Sequence, residues 1–197
     1  MKNAKEIIIP AVSLLLICVV VTALLGLTNS VTAPQIEKLA LETQEAAKKE
    51  VLADAASFSE EKQTEKDGET YPYFEGLSDS GETVGYVFQT AAKGYGGDIS
   101  VMVGIYTDGT VAGVSILSIS ETAGLGMNAK NESFLNQFLG KSGTIGVQKN
   151  GSADTEIQAL TGATITSKAM ASAVNQARAL YETVGGAQNG REKIFGA

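Results

Sequence analysis

From Ile7 to Gly26 the chain reads IIIPAVSLLLICVVVTALLG, and no charged residue occurs between Glu6 and Glu37. As a helix rising 1.5 Å per residue, about twenty such residues cover roughly 30 Å, the hydrocarbon thickness of a bilayer. The run therefore predicts a transmembrane helix over 7–29 in contact with membrane lipid. Pro10 falls near its start, where a missing amide donor costs least. Lys2 and Lys5 on the N-terminal flank predict that residues 1–6 are cytoplasmic, so that the bulk of the chain is extracytoplasmic. A cleaved signal peptide is the competing reading. Val31-Thr32-Ala33 has the small residues of a cleavage site, but Pro34 follows it directly, and the apolar core exceeds the usual length of about 7–15 residues. Cys18 follows Leu-Leu-Ile in mid-run, which does not suit a lipoprotein site and leaves it a lipid-facing or packing residue.

The composition removes several kinds of chemistry. The 197 residues include no histidine, no tryptophan and one cysteine. A disulfide framework, a Cys/His metal site and the Ser-His-Asp or Cys-His nucleophiles are all excluded. Any reaction must rest on a carboxylate, a lysine or an acquired cofactor. Acidic residues outnumber basic ones 22 to 15, for a formal charge of −7. Nucleic acid is thereby excluded as a partner, because binding phosphates needs clustered cations.

Beyond the anchor, Pro34 suits a first helical turn. Ile36, Leu39, Ala40, Thr43, Ala47 and Val51 recur at helical spacing. A stalk helix is expected over 34–54, with Glu45 and Lys49 as an i,i+4 pair. Residues 55–82 are polar and interrupted by Gly68, Pro72, Gly76 and Gly81. They are expected to be a connector with little regular structure, so that 30–82 is stalk and connector and 83–197 is the folded domain. There the apolar period changes to two: Val84, Tyr86 and Phe88, then Ile99, Val101, Val103 and Ile105. Thr107-Asp108-Gly109-Thr110 marks a hairpin turn into a strand at Val111–Ser118. A glycine-rich loop follows at Glu121–Gly126, then a short helix with Phe134, Leu135, Phe138 and Leu139 on one side. Further strands are expected at Thr144–Gln148 and Glu156–Leu160. A last helix is expected from Ser167 to Val184, with Met170, Val174, Ala177, Tyr181 and Val184 on one face and Gly185-Gly186 ending it. This order predicts an α+β domain with an antiparallel sheet and flanking helices.

Gly140-Lys141-Ser142 is not a Walker A loop, because Leu135 stands where that pattern needs glycine. Nor is Gly94-Tyr95-Gly96-Gly97 a dinucleotide fingerprint, since Ile99 takes the third glycine position. The turn Ala159-Leu-Thr-Gly-Ala-Thr-Ile-Thr-Ser-Lys168 is more informative. It joins a strand to a helix, where backbone amides and the helix dipole favour an anion such as phosphate. Thr164, Thr166 and Ser167 are also ordinary N-cap residues, but a cap needs one hydroxyl and this turn has several.

Thr161-Gly162-Ala163-Thr164 resembles the [S/T]GAT signature at which FMN is attached in the FMN-binding domains of bacterial redox pumps. Gly94-Tyr95-Gly96-Gly97 before Ile99–Ile105 resembles the family's GYGG segment. Glu121-Thr122-Ala123-Gly124-Leu125-Gly126 resembles its ETPGLG loop, and Phe134 with Phe138 its F…F helix. With the anchor and stalk, the likeness is to the G subunits of Rnf ion-translocating ferredoxin:NAD oxidoreductases. The C subunit of the sodium-pumping NADH:quinone oxidoreductase shares the signature and anchor, but usually carries a GLW element that a tryptophan-free chain lacks. A cofactor-free anchored interaction module is the reading from a different class. Two features depart from the family pattern: Ala123 replaces a usual proline, and the acidic residue that often precedes the signature is missing, its place taken by Ala159, or by Gln158 if the spacing is counted as D-x-x-T.

The resemblance implies FMN joined by a phosphodiester to Thr164. It implies cofactor contacts from Thr161, Gly162, Ala163, Thr166, Ser167, Lys168, Tyr95, Gly96, Glu121, Thr122, Gly124, Leu125 and Gly126. Thr166–Lys168 would hold the phosphate charge, Tyr95 would stack on the ring, and Leu125 with Met127 would cover it. With nothing in the chain to activate a threonine, attachment would fall to a separate ApbE-type flavin transferase. The implied role is electron relay among the membrane subunits of the complex, without catalysis by this chain alone.

Overall fold

The computed structural model describes residues 3–66, 68–149 and 155–195; Met1 and Lys2, the latter part of the orienting flank, lie outside them. Internal contacts divide the chain into two units, residues 1–43 and 44–197.

In the first unit the apolar run, Ile7 to Gly26, is helical and exposed throughout. It belongs to a helix long and apolar enough to cross a membrane. Anchor and stalk are not separate helices: α1 runs unbroken over Asn3–Val51 and contains both Pro10 and Pro34. Pro34 removes one backbone donor without ending the helix. Thr28 and Thr32 Oγ1 donate to carbonyls four residues back, at 2.9 and 2.8 Å.

The second unit is built on an antiparallel sheet. Residues 55–82 are not an irregular connector. They hold β1 (Ser57–Phe58), β2 (Lys62–Lys66) and β3 (Glu69–Leu77), and both β1 and β2 pair with β3. Strand β2, Lys-Gln-Thr-Glu-Lys, lacks apolar alternation because it is an edge strand, whose charges deter further pairing. Pro72 lies beyond the register that β3 shares with the next strand, where its missing N–H costs no ladder bond. β4 (Thr83–Lys93), β5 (Asp98–Tyr106) and β6 (Val111–Ser118) complete the path β1-β3-β4-β5-β6. The β5–β6 turn is the expected one: Asp108 Oδ1 accepts from Thr110 N at 2.8 Å and Thr110 Oγ1 at 2.7 Å, which holds its carboxyl below the usual range.

One face of the sheet, with Tyr86, Phe88, Ile99, Val101, Val103 and Ile105, is covered by the last helix, α3 (Thr164–Phe195). Met170, Val174, Ala177 and Tyr181 pack in this core as the spacing predicts, with Val184 against its edge. Phe134 and Phe138 also belong to it, from α2 (Glu132–Leu135) and the 3-10 turn after it. Leu139 does not: the helix ends early and leaves it 46% exposed. Gly185-Gly186 does not terminate α3 either, since the helix runs on to Phe195. The two remaining expected strands are shorter than predicted, β7 (Gly146–Gln148) and β8 (Glu156–Gln158), and pair in parallel.

The opposite face holds Val87, Met102 and Phe74 against Ala47, Val51 and Leu52 at the end of α1. Register shifts leave Val84, Ala112 and Leu117 as extra residues in their ladders, and all three pack on this face. The bulge explains why Val84 parts from Tyr86 and Phe88 despite the even spacing. Glu45 pairs with Lys48 at 2.5 Å rather than with Lys49.

Candidate functional site

The strand-to-helix turn forms through glycine and a buried serine. Gly162 adopts φ +74°, a conformation that favours glycine. The Ala163 carbonyl then accepts both Ser167 N and Ser167 Oγ at 3.0 Å, while Ser167 Oγ accepts Leu160 N at 2.9 Å. Helix α3 consequently starts at Thr164, three residues before the expected Ser167. Ala163 precedes it and has no side-chain oxygen to cap it, so the first-turn amides have no intrahelical acceptor. That positive helix end faces the turn's exposed side, where an anion is stabilised.

Two other loops close on this turn through Glu121. Its Oε1 accepts Tyr95 N at 2.8 Å and Gly96 N at 3.0 Å, and its Oε2 accepts Thr166 Oγ1 at 2.8 Å. The approach depends on missing side chains. A Cβ at Gly94 would collide with Glu121 Oε1, and one at Gly96 with the Ser120 carbonyl. One at Gly126 would lie 2.5 Å from Glu121 Oε2 and 2.7 Å from Thr166 Oγ1.

Between these segments opens a cavity of about 580 Å³. Gly162, Ala163, Thr164 and Thr166 line it from the helix start. Tyr95, Glu121, Thr122 and Leu125 line it from the two loops. The volume suits a drug-sized or nucleotide-sized ligand. Tyr95 is 72% exposed and Leu125 43%, leaving aromatic and apolar side-chain surface open toward the cavity.

Several expected contact residues stand off the cavity wall. Ser167 is fully buried and its hydroxyl serves the turn itself. Lys168 and Thr161 are exposed but do not line the cavity. Gly96, Gly124, Gly126 and Met127 are not on the wall, although Gly96 and Gly126 leave the room by which the loops approach. Thr166 lines the cavity, but its hydroxyl donates to Glu121. Ile165 is an addition to the expected set: it lines the cavity and is 53% exposed. Its only sequence signal is an apolar residue set among hydroxyls at a helix start.

The site holds a ligand better than it reacts with one. Its single carboxylate is engaged by three donors, and no cluster of metal-ligating groups exists among the described residues. A helix start with unsatisfied amides, a neighbouring threonine and apolar walls fit a phosphate-bearing aromatic cofactor.

Comparison with known proteins agrees. Residues 94–179 match the FMN-binding domain family, and residues 1–51 match the RnfG N-terminal region. The G subunit of the Na(+)-translocating ferredoxin:NAD(+) oxidoreductase complex of Acetobacterium woodii is 39% identical over 189 residues, covering 87% of this chain and 89% of that protein. The G subunit of the ion-translocating oxidoreductase complex of Methanosarcina acetivorans is 35% identical over 182 residues, covering 90% and 95%. Among solved structures, the C subunit of the Na(+)-translocating NADH-quinone reductase from Parabacteroides distasonis gives a TM-score of 0.58 at 19% identity, covering 74% of this chain and 93% of that one. Shewanella oneidensis NqrC gives 0.51 at 22%, covering 63% and 65%. These two likenesses establish the fold.

Proposed function

The chain belongs to the family of G subunits of ion-translocating oxidoreductase complexes, and on that footing we propose that it carries FMN covalently, through a phosphodiester at Thr164, on the outer side of the cytoplasmic membrane. It is an electron-transport subunit with an FMN-binding domain, and its partners are the other subunits of such a complex. Bound FMN would supply the redox chemistry that this histidine-free chain does not.

One observation carries the choice of Thr164. Among the hydroxyls of the turn, Thr166 is committed to Glu121 and Ser167 to the Ala163 carbonyl, whereas Thr164 is half-buried at the helix start on the cavity wall. A phosphate esterified there sits at the positive end of α3, and Lys168 adds a cation on the same first turns. Tyr95, Leu125 and Ile165 cover the ring, and the Thr122–Leu125 backbone borders it. A free threonine hydroxyl is a poor nucleophile and no base adjoins it, so an ApbE-type flavin transferase performs the attachment. The outward side follows from the lysines flanking the apolar run, with membrane lipid around that run.

Intact-mass measurement of the chain from its own host tests the reading. The wild type gains the mass of FMN less water and fluoresces on a denaturing gel; Thr164→Val does neither while folding normally. An unmodified, colourless wild type sinks the reading in favour of a cofactor-free module.

A further inference from the structure

We propose that Glu121 is the positioning residue of this site, fixing the first turn of α3 against the two glycine loops so that the cavity and the Thr164 hydroxyl are in place before any cofactor arrives. This rests on the reading of Thr164 as the attachment point.

The division of labour within the carboxylate supports it. One oxygen takes both amides of the 94–97 loop, Tyr95 N and Gly96 N; the other takes the Thr166 hydroxyl of α3. A single side chain on a third segment therefore joins two segments about 70 residues apart. Among the described residues Glu121 takes part in no ion pair, so hydrogen bonds alone hold it. Charge-assisted bonds of this kind are the stronger ones. The surrounding chain is cut back to admit them: Gly94 and Gly126 leave no room for a Cβ beside the two carboxylate oxygens. Thr166 is 1% exposed with Glu121 in place, and its hydroxyl donates to the Glu121 carboxylate. The same bond consumes the hydroxyl nearest to Thr164 along the helix and leaves Thr164 the reactive one.

The geometry distinguishes two substitutions. An amide N–H can only donate, whereas a threonine hydroxyl can donate or accept. In Glu121→Gln the side-chain carbonyl keeps both loop amides and the NH2 group donates to Thr166 Oγ1. All three bonds survive without the charge. Glu121→Ala removes all three. Thr166→Val removes only the helix bond at nearly constant shape.

The test incubates the full chain in detergent with an ApbE-type flavin transferase and its flavin nucleotide, and follows attachment by intact mass, with folding checked by circular dichroism. Attachment to Glu121→Gln proceeds close to the wild-type rate. Glu121→Ala falls by roughly tenfold or more, and Thr166→Val by a few-fold. Folded Glu121→Ala labelled at the wild-type rate overturns the proposal, as does Glu121→Gln impaired as badly as Glu121→Ala. Should Glu121→Ala fail to fold, Thr166→Val decides: slowed labelling supports the proposal and wild-type labelling overturns it. Failure of the wild type to accept flavin removes the underlying reading and the proposal with it.

Discussion

On one face of the sheet, α3 buries Met170, Ala173, Val174, Ala177 and Leu180 against Phe88, Val101 and Val103, and large side chains interlock. On the other, the end of α1 packs a smaller apolar cluster, and at Val51 its backbone comes close to the strands over glycine. Gly104 and Gly113, paired across β5 and β6, would each drive a Cβ into Val51: at Gly104 into its carbonyl oxygen, at Gly113 to 2.7 Å from its Cα. Gly76 and Gly85, paired across β3 and β4, leave room instead for the Leu52 side chain. The first face gains stability from apolar area, and it carries the candidate site at the start of its helix. The second gains close approach, which fixes where the helix ends on the sheet. Side-chain packing tolerates repacking, whereas a backbone seated on glycine does not. The two faces therefore ought to fail differently under substitution.

The largest effect belongs to the interlocked face. Phe138 is fully buried and meets Phe134 edge-on, with ring centroids 5.7 Å apart. Phe138→Ala leaves a cavity and costs about 3–5 kcal/mol, read from thermal or denaturant unfolding of the detergent-solubilised chain. Phe138→Leu recovers most of it if packing volume governs this face. A Leu variant as unstable as Ala would instead assign Phe138 a specific ring role.

Next comes the glycine floor. Gly104→Ala adds one methyl group and forces the α1 end off the sheet, at a cost of about 1–3 kcal/mol. Trimming the opposing side chain tests the mechanism. The collision is with the Val51 carbonyl oxygen and carbon, so Val51→Ala does not rescue Gly104→Ala in a double-mutant cycle. Rescue would mean that the contact at Gly104 is made through the Val51 side chain, and the contrast between the faces would fall.

The same contrast explains what can be read from the sequence. Strand β6 begins where the Asp108-Gly109 turn puts it, and α3 buries the face its period announces, because α3 makes its contacts through side chains. The glycine-floored face is opaque to that kind of reading. Gly76 has the look of a loop breaker, although a Cβ there would meet Leu52 and Ala55. Bulges at Val84, Ala112 and Leu117 shift parity without changing composition. The site divides in the same way. Its three segments are visible as glycine and threonine motifs, since their residue types are unusual. That Glu121 ties them together is not, because a carboxylate bonding to distant amides leaves no local pattern. Nor is the role of Ser167, whose hydroxyl turns inward to the Ala163 carbonyl rather than outward to a ligand.

The smallest effect lies within the glycine-floored face. Lys48 is 4% exposed, with its ammonium 4.1 Å from the Phe74 ring centroid and 2.5 Å from Glu45 Oε1. Burying an ammonium carries a desolvation penalty that its partners only partly offset. The ring contact is worth about 0.5–2 kcal/mol, while the Glu45 end is largely exposed and screened. Lys48→Met keeps the unbranched stem and places sulfur near Phe74. The opposing changes nearly cancel, so unfolding shifts by no more than about 1 kcal/mol in either direction. Lys48→Ala, which also deletes the stem, is the more destabilised of the two. If Lys48→Met instead matched Lys48→Ala, the charge rather than the stem would hold this corner. The face would then depend on a buried cation as well as on the absence of side chains beneath Val51.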